Sequence, residues 1–550
     1  MQKRFCFITA VSSLAMVREG TYTHHGKEWI QKMKIQTIGN YAELLRREGL
    51  LINHISTEKE AGEITQISCY SGEIREGAMF LCKGAAFRET YLSEAILRGA
   101  KCYVSEKEYP AGKGIPCLLV SDIRRAMAAL AEAFYGYPAD QMRIVGITGT
   151  KGKTTTAYYV RAVLDTWLAR RGEKPSAIFS SIETYDGVRR EPAKLTTPES
   201  LDLQRHLRTA VDVGVSWLTM EVSSQAMKLQ RIGNVRMETG VFLNISRDHI
   251  SPLEHSDFEE YFQSKLQMFS HCRNVCVNLD SDYAARILRA ASGAEQVITF
   301  GTSAEAAVRG SHIRTENRQL RFHLSMPGYE GEIRIPMRGT FNAENALAAI
   351  SVCFSLGIPA DCIVEGLSNV RVRGRMEEYR SRDGKRTVLV DYAHNRLSFE
   401  KLFASVREEY PGRPVTVIFG CPGGKAYNRR KDLAEVSDRY ADSIYLVPDD
   451  PGPEEPEKIA GEIMSHIHGK KRVCTYVGNR QEAVRRAVEE APEDAVVLVL
   501  GKGCEATQKY ADGIRSCTPD SESVRVSLAE YDRKCETNAL PFKHLAVSLV

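Results

Sequence analysis

The chain has 550 residues, which is too long for one hydrophobic core and indicates about three domains. Hydrophobic residues make up 43% of the chain and charged residues 26%, which is the balance of an ordinary globular protein. The net charge of +4 produces no strong electrostatic field, which argues against nucleic acid or a membrane surface as a partner. The 14 cysteines are scattered without paired spacing, which argues against a zinc site and indicates a reducing, cytoplasmic compartment.

Residues 1–34 form an N-terminal extension with the outline of a signal peptide. Lys3 and Arg4 precede a mostly apolar run from Phe5 to Val17, as in secretory signals. The run is too short to span a bilayer, and no other segment of the sequence is long and apolar enough to do so. We therefore predict a disordered or mis-started extension on a cytoplasmic protein.

Residues 35–139 are predicted to form a small α/β domain. The stretch Glu73–Gly84 is typical of a turn followed by a strand, Tyr91–Gly99 of a helix, and Lys101–Val104 of the next strand. This alternation of strands and helices favours an α/β sheet over an all-β or all-α domain.

The stretch Gly146–Thr156 is a glycine-rich loop between a strand and a helix. Arg143–Val145 is a short apolar run before it, and Ala157–Leu168 after it has the pattern of an amphipathic helix. Such a turn presents backbone N–H groups at the positive end of the helix, which suits phosphate. Lys153 would reach the outer phosphates of a nucleotide, and the Thr154 hydroxyl would ligate Mg²⁺.

Residues 140–373 are predicted to form a central domain around this loop. The apolar strand Trp217–Met220 is followed directly by Glu221, and the apolar strand Thr239–Ile245 ends shortly before His249. Because ligands of open α/β sheets collect beyond the carboxyl ends of the strands, both side chains are expected near the phosphates. The rest of the domain is predicted to hold β-hairpins over Val308–Arg338 and a helix over Asn342–Leu356.

Residues 374–550 are predicted to form a third, Rossmann-like domain. Five strand candidates alternate with helical stretches, which predicts a mainly parallel sheet. The candidates are Thr387–Val390, Val415–Phe419, Ile444–Val447, Arg472–Val477 and Ala495–Leu500. The residues after about Asp532 are predicted to be a tail.

The loop sequence Gly-Thr-Lys-Gly-Lys-Thr-Thr resembles the form found in the Mur ligase family, the ATP-dependent amide-forming enzymes of peptidoglycan assembly. Further blocks resemble that family in one consistent order from about Ile35 to Asp532. The resemblance implies an α/β protein with an N-terminal UDP-binding domain, a central P-loop ATPase domain and a C-terminal Rossmann-like domain. It implies a monomer with ATP and Mg²⁺ as cofactors, which adds an amino acid to UDP-N-acetylmuramoyl-L-alanyl-D-glutamate through an acyl phosphate.

Three blocks resemble the metal-binding part of that family. The block that begins at Glu221 resembles E-V-S-S-H, whose Glu is a magnesium ligand, and His249 matches a D-H histidine that faces the metal. Lys265 matches a lysine that CO₂ carbamylates in the family. Carbamylation makes an anionic oxygen ligand and requires the neutral amine, so the site must lower the pKa of that lysine. Taken singly, His249 fits a core histidine and Lys265 a solvated helix lysine, and their order beside Glu221 favours the metal site.

The resemblance also implies which residues hold the nucleotide. Blocks that match G-x-F-N-x-x-N, G-R-M-E and D-Y-A-H follow the loop in the family's order. The implied ATP-binding residues are Gly149, Thr150, Lys151, Gly152, Lys153, Thr154, Thr155, Asn345, Arg375, Asp391 and His394.

Substrate-binding residues are implied in two groups. For the UDP-sugar they are Ser71, Thr196, Thr197, Ser223 and Arg231. For the amino acid they are Arg430, Asp449, Asp450, Gly501 and Glu505. The block around Ser71 departs from the family at Tyr70 and Gly72, and Ser71 alone also fits a turn residue.

The acidic pair Asp449 and Asp450 bears on which amino acid is added. Family members that add meso-diaminopimelate carry D-N-P-R, whose Arg pairs with the extra carboxylate, and this chain has Gly452 at the Arg position. An acidic pair without that Arg suits a cationic side chain such as L-lysine or L-ornithine. The alternative is that the two aspartates cap a helix that begins near Glu454.

Two further interpretations stay open at this stage. The chain could be a related ligase with another acid substrate, like folylpolyglutamate synthase, which the blocks at Ser71 and Glu221 argue against. It could also be a nucleotide-binding scaffold without catalysis, which departures such as Gln225 and Arg396 keep open. A P-loop motor or nucleic-acid ATPase is disfavoured by the balanced charge.

Overall fold

The computed structural model describes residues 37–57, 62–84, 87–251, 254–469 and 473–545, with side chains as far as residue 537. The extension predicted over residues 1–34 lies outside the described residues. The contacts divide the chain into two compact units, one that ends at Ile123 and one that begins at Arg124. No helix in the described ranges combines the length and the apolar character that a membrane crossing needs.

The first unit contains a five-stranded sheet. Its elements are helices α1 Ile38–Arg47 and α2 Glu89–Leu97 and strands β1 Leu51–Ile55, β2 Gln66–Ser68, β3 Ala78–Leu81, β4 Ala100–Ser105 and β5 Cys117–Val120. The strand order is β1-β5-β4-β3-β2, and only the β1–β5 pair is antiparallel. Phe80, Leu92 and Tyr103 share a buried cluster, which joins α2 to the sheet. The predicted turn, strand, helix and strand are confirmed.

The second unit begins with an eleven-stranded sheet. Its strands are β6 Arg143–Thr148, β7 Ala177–Phe179, β8 Glu183–Tyr185, β9 Arg190–Pro192, β10 Trp217–Glu221, β11 Met237–Phe242, β12 Cys272–Asn278, β13 Gln296–Gly301, β14 Val308–Glu316, β15 Gln319–Met326 and β16 Tyr329–Ile335. The helices of this part are α3 Ile123–Phe134, α4 Lys153–Arg170, α5 Ser200–Asp212, α6 Ser224–Lys228, α7 Phe258–Leu266, α8 Ala284–Ala290, α9 Asn342–Ser355 and α10 Ala360–Ser368. The strand order is β16-β15-β14-β13-β12-β11-β6-β10-β7-β8-β9.

Strand β6 lies inside this sheet and is parallel to both neighbours, β10 and β11. It is apolar on both faces, since Ile144 belongs to one buried cluster while Val145 and Ile147 belong to another. The loop after β6 therefore emerges between the carboxyl ends of β10 and β11. The predicted hairpins and the helix that follows them are confirmed, as β14 to β16 and α9.

The second unit also contains a six-stranded sheet. Its elements are strands β17 Glu377–Arg380, β18 Thr387–Asp391, β19 Val415–Phe419, β20 Ser443–Leu446, β21 Val473–Tyr476 and β22 Val496–Leu500, the hairpin β23 Thr507–Tyr510 and β24 Gly513–Ser516, and helices α11 Arg396–Glu409, α12 Asn428–Tyr440, α13 Pro456–Met464, α14 Arg480–Glu490 and α15 Asp520–Leu545. The order is β17-β18-β22-β19-β20-β21, with β17 alone antiparallel, so the mainly parallel sheet is confirmed.

The prediction of a tail after Asp532 is wrong. Helix α15 continues through this residue to Leu545, and Asp532 accepts a hydrogen bond from the backbone of Arg382 (2.9 Å). Polar residues interrupt the apolar periodicity of this last helix, so the sequence pattern did not predict it. The predicted domain boundaries after residues 34, 139 and 373 stay predictions.

Helix α4 carries the glycine-rich loop at its N-terminus and packs against α9 and α10. Gly366 of α10 lies so close to α4 that an added Cβ would be 2.6 Å from the Val163 Cα and 2.9 Å from the Val163 nitrogen. Both atoms are backbone and have no rotamer with which to move away. The position therefore requires the absence of a side chain, and the contact fixes the direction of α4.

We predict that Gly366→Ala lowers the free energy of unfolding by about 1–3 kcal/mol, because the two helices must separate. The measurement is chemical denaturation of the purified protein. The matched control is Gly461→Ala in α13, where an added Cβ would meet nothing within 4 Å. There the gain in helix propensity should leave stability unchanged or slightly higher. Equal effects of the two substitutions would contradict the close packing.

Candidate active site

The glycine-rich loop runs from Gly149 to Gly152, between β6 and α4, and two of its glycines have backbone conformations that other residues rarely adopt. The φ angle is +150° at Gly149 and +86° at Gly152. A Cβ on Gly152 would collide with the side-chain oxygen of Asn345. The first N–H groups of α4 have no partner within the helix and face this loop, so a phosphate is the ligand that they favour.

A cavity of about 360 Å³ opens beside the loop, and all of its walls belong to the second unit. The predicted ATP residues in its wall are Thr150, Lys151, Gly152, Lys153, Thr154, Thr155, Asn345, Arg375, Asp391 and His394. The other predicted residues in its wall are Glu221, His249, Thr196, Asp449, Asp450, Gly501 and Glu505. The cavity therefore brings together sequence positions more than 350 residues apart.

Lys153 folds back over the loop. Its ammonium donates to the carbonyl oxygens of Gly149 (2.9 Å) and Thr150 (3.3 Å). Burial lowers the pKa of this lysine, and the nearby Glu221 and Asp248 carboxylates oppose that effect. The ammonium of Lys153 thus lies where the outer phosphates of a nucleotide would bind.

A hydroxyl and a carboxylate meet at the end of β10. The Thr154 hydroxyl donates to Glu221 (2.8 Å), and the carboxylate also accepts from the backbone nitrogen (2.7 Å) and hydroxyl (3.3 Å) of Ser181. Glu221 is fully buried and lines the cavity, where these donors hold its carboxylate. Ser181, whose hydroxyl is also within hydrogen-bond distance of the Thr196 hydroxyl (3.0 Å), had no signal in the sequence because it lies in a loop after β7 without a motif.

Lys265 and His249 approach the loop from two other elements. Lys265 of α7 is 2% exposed and donates to the carbonyl of Gly149 (2.9 Å), but it is not part of the cavity wall. Burial, with the neighbouring Lys153 and Lys151 cations, holds the pKa of Lys265 well below its ordinary value. His249 lines the cavity and is fixed by a contact between its Nδ1 and Glu254 (2.7 Å). The neutral amine that carbamylation requires is therefore favoured at Lys265.

Asp248 is a buried ion-pair centre that the sequence analysis missed, although it directly precedes His249. It accepts hydrogen bonds from Arg429 (2.8 Å) and Asn395 (2.8 Å) and lies 3.4 Å from the Lys151 ammonium. Burial alone would raise the pKa of Asp248, but the Arg429 and Lys151 cations hold it well below its usual range. Burial lowers the pKa of Lys151 to about 7, and its ammonium also contacts His394 (3.0 Å). One carboxylate thus joins the loop to residues that follow β18 and β19.

Two of the predicted nucleotide-binding residues, Asp391 and Arg375, lie beside strands β17 and β18 of the six-stranded sheet. Asp391 ends β18 and accepts from the backbone nitrogens of Met376 (2.9 Å) and Ala393 (2.8 Å). The Arg375 guanidinium lies 4.4 Å from the centre of the Tyr392 ring. These contacts fix the turn that carries the predicted nucleotide residues.

Arg396, one of the departures from the family's pattern, has a structural role. It donates to Glu400 (3.1 Å), Asp432 (3.2 Å) and Glu435 (2.9 Å), which joins the first turn of α11 to α12. Arg396 therefore helps to fix the turn before α11, and His394 in that turn lines the cavity.

Some predicted residues lie outside the cavity wall. Arg430 is 3% exposed and is held by Glu454 (2.9 Å) and Glu462, so its charge is taken up within the protein, whereas its neighbour Arg429 lines the cavity. Arg231 is paired with Glu199 (3.0 Å). In the first unit, the Ser71 hydroxyl donates to Glu94 (2.7 Å).

Two more predicted residues support the cavity from behind. The Thr197 hydroxyl donates to the backbone oxygen of Glu221 (2.9 Å), and the Ser223 hydroxyl accepts from the nitrogen of Ala226 (3.1 Å) as the N-cap of α6. Both therefore position Glu221 and the chain that follows it. The helix-capping alternative for Asp449 and Asp450 is wrong, because the N-cap of α13 is Glu455.

Comparison with known proteins places this geometry in a family. Residues 147–353 match the Mur ligase middle domain, and residues 374–503 match the Mur ligase glutamate ligase domain. The UDP-N-acetylmuramyl-tripeptide synthetase of Lactobacillus acidophilus is 37% identical over 85% of this chain and 92% of its own length. The UDP-N-acetylmuramoyl-L-alanyl-D-glutamate–L-lysine ligase of Enterococcus faecalis is 39% identical over 81% of this chain and 88% of its own.

Solved structures share the fold at lower identity. A UDP-N-acetylmuramoyl-L-alanyl-D-glutamate–2,6-diaminopimelate ligase has a TM-score of 0.59 and 22% identity and covers 87% of this chain and 97% of its own. A Mycobacterium tuberculosis folylpolyglutamate synthase with ADP has a TM-score of 0.56 and 16% identity over 68% of this chain and 91% of its own. The chain belongs to the Mur ligase family. It is a ligase that forms an amide bond at the expense of ATP.

We predict that Asp248→Asn destabilises the second unit by about 3 kcal/mol, because Arg429 then remains buried without its counter-ion and Lys151 loses the carboxylate that favours its charged form. The folded-state pKa of Asp248 is below its unfolded-state value, so the stabilisation is present above about pH 4 and is lost only as the pH falls through the folded-state pKa. Chemical denaturation at several pH values measures the loss.

The control is Asp361→Asn, the same chemical change at an exposed ion pair with Arg170. Solvent screens that pair, so the substitution should leave the free energy of unfolding close to that of the unmodified chain. A loss at position 248 no larger than this control would contradict the role of Asp248.

Proposed function

We propose that this chain adds a cationic amino acid, L-lysine or a close analogue, to UDP-N-acetylmuramoyl-L-alanyl-D-glutamate in the cytoplasmic assembly of peptidoglycan precursors. The observation that carries the proposal is the cavity, whose wall contains both the phosphate loop and the carboxylates of Asp449, Asp450 and Glu505. Carboxylates that can bind a cation, in the same cavity as an ATP site, are what such a ligase needs. The names of the relatives support the same acid substrate.

The chemistry requires activation, because the oxygen of a carboxylate is a poor leaving group. Transfer of the γ-phosphoryl group of ATP to the substrate carboxylate makes an acyl phosphate, and the amine of the amino acid then displaces phosphate. Most of the barrier comes from holding several negative oxygens together, so positioned cations supply most of the catalysis. In this chain Lys153 would bind the outer phosphates, and Asn345, Arg375, Asp391 and His394 would hold the rest of the nucleotide.

The residues at the end of β10 fit Mg²⁺. A hydroxyl from Thr154 and a carboxylate from Glu221 are hard oxygen donors, and they contact each other at the foot of the phosphate loop (2.8 Å). In the described ranges, no group of three or more His, Cys, Asp and Glu side chains is placed to hold a metal. This favours a cation that takes much of its coordination from phosphate, as Mg²⁺ does. Bound there, with His249 nearby and carbamylated Lys265 behind the loop, Mg²⁺ would neutralise phosphate charge.

The proposed binding of the UDP-sugar involves three of the predicted residues in the second unit. Thr196 lines the cavity beside Ser181, Arg231 is paired with Glu199, and Ser223 caps α6. Ser71 keeps its predicted role at the uridine end. A monomer that binds neither nucleic acid nor membrane fits the near-neutral charge.

We predict that L-lysine or L-ornithine supports phosphate release with the UDP-dipeptide. With meso-diaminopimelate the rate of phosphate release should be lower by about tenfold or more. The physical reason is that Gly452 provides no guanidinium for the second carboxylate of diaminopimelate. The measurement is phosphate release from ATP against a panel of amino acids. Lys153→Ala should abolish release with every amino acid, which controls for contaminating ATPase. A clear preference for diaminopimelate would contradict the proposal.

We predict that turnover depends on CO₂ through Lys265. Activity should fall in CO₂-depleted buffer and return with added bicarbonate. The activity of Lys265→Arg should be about 100-fold lower or less and should not respond to bicarbonate, because a guanidinium stays protonated and cannot be carbamylated. The control is Lys458→Arg at an exposed position of α13, which should keep both the activity and the response. Full activity of Lys265→Arg would rule the carbamate out.

A further inference from the structure

Helix α7 supports the phosphate loop through two side chains that lie one helical turn apart. Lys265 donates to the carbonyl oxygen of Gly149 (2.9 Å), and the Tyr261 hydroxyl lies 3.0 Å from the hydroxyl of Thr150. Residues four apart on a helix point to the same side, so the two side chains reach two successive residues of the loop. Both contact the loop without lining the cavity.

The other partners of Thr150 decide which of the two hydroxyls is the donor. The Thr150 hydroxyl has one proton, which it donates to the carbonyl oxygen of Ser246 (3.3 Å), and it accepts from the backbone nitrogen of Ser246 (3.0 Å). The Tyr261 hydroxyl therefore donates to Thr150, and with this bond the hydrogen-bonding capacity of the Thr150 hydroxyl is filled.

The aromatic ring of Tyr261 is enclosed by its neighbours, and the side chain is fully buried. The Lys265 ammonium lies 4.7 Å from the ring centre. The rings of His249 and His255 have their centres 5.8 Å and 5.3 Å from that of Tyr261. These contacts fix the ring, so its hydroxyl is presented to Thr150 in one place.

The segment after β11 holds the backbone of the same part of the loop. The backbone nitrogen of Thr150 donates to the backbone oxygen of Asn244 (3.0 Å). The Asn244 side chain accepts from the backbone nitrogen of Lys151 (2.9 Å) and donates to its backbone oxygen (3.1 Å). These bonds do not involve Lys153, whose own bonds to the loop carbonyls would be exchanged for phosphate when a nucleotide binds. The support from α7 and from this segment would therefore persist in the loaded loop.

We propose that Tyr261 is a positioning residue for the phosphate loop, whose hydroxyl holds Thr150 in the conformation that receives the triphosphate. Tyr261 acts through Thr150 and does not touch the nucleotide. A loop that is already held in its binding conformation binds more tightly, because ordering it would otherwise cost free energy on association. The inference concerns the ATP site alone and is independent of which acid and which amino acid are joined.

The first test compares two substitutions that each remove one buried hydroxyl, Tyr261→Phe and Tyr159→Phe. Tyr159 is also fully buried, but it lies in α4 with its hydroxyl 3.1 Å from the Met337 sulfur. The readout is the Kd of the non-hydrolysable analogue adenylyl imidodiphosphate with Mg²⁺, measured by calorimetry. Tyr261→Phe should raise Kd about fivefold, whereas Tyr159→Phe should leave it unchanged. No change in Tyr261→Phe, or an equal change in both variants, would overturn the inference.

The second test asks whether the effect passes through Thr150. In Thr150→Val the Tyr261 hydroxyl has lost its acceptor, so adding Tyr261→Phe should change Kd by less than about twofold. Thr150→Ser keeps the hydroxyl, and there Tyr261→Phe should again raise Kd about fivefold. A general packing role for Tyr261 would give the same loss in every background. Equal losses in the Val and Ser backgrounds would therefore overturn the inference.

Amide hydrogen exchange gives a third readout, without any ligand. Tyr261→Phe removes no carbon atom, so α7 should stay packed, and exchange should become faster in the loop peptide 146–156 but not in α7. Faster exchange throughout α7, or none in the loop, would overturn the inference. All three measurements omit the acid and the amino acid, so they decide the role of Tyr261 even if the proposed amino-acid substrate is wrong.

Discussion

The catalytic part of this protein depends on the burial of one carboxylate, Asp248, among cations from separate parts of the second unit. Lys151 comes from the phosphate loop and Arg429 from the N-terminal turn of α12, and Asn395 caps the N-terminus of α11. Without the carboxylate, Arg429 would be buried without its counter-ion and Lys151 would lose the charge that favours its protonated form. With it, residues that follow strands of the eleven-stranded and six-stranded sheets are joined. Asp248 directly precedes His249, so the contacts that fix Asp248 also help to position the proposed metal site.

Both parts of the second unit contribute charges of both signs to the cavity wall. The part built on the eleven-stranded sheet contributes Lys151 and Lys153 but also Glu221 and Glu254. The part built on the six-stranded sheet contributes Asp449, Asp450 and Glu505 but also Arg375 and Arg429. Some of these charges are paired within the protein, since Arg429 is bound to Asp248.

The sequence predicts most of the fold, because buried parallel strands such as β6, β19 and β22 are continuous apolar runs and because the phosphate loop combines glycine, lysine and threonine. It also predicts about half of the cavity wall, because motif residues follow the carboxyl ends of strands. It missed Asp248 and Ser181, whose importance lies in contacts over long sequence separations that no local pattern encodes. It misplaced Arg430 for a related reason: of two adjacent arginines on α12, only the helix orientation decides that Arg429 faces the cavity while its neighbour binds Glu454. The last helix was missed because its polar spacing resembles a solvated tail.

The hydrogen bonds from Lys153 to the carbonyls of Gly149 and Thr150 have a consequence for how the loop receives a nucleotide. The ammonium has already exchanged its hydration shell for protein oxygens, so an arriving triphosphate replaces carbonyl acceptors with phosphate acceptors and strips little water from the lysine. The balance between those two sets of oxygens, one neutral and one anionic, then sets the affinity. The loop carbonyls and a bound phosphate would thus compete for the same ammonium, and a nucleotide with more phosphate charge would compete better.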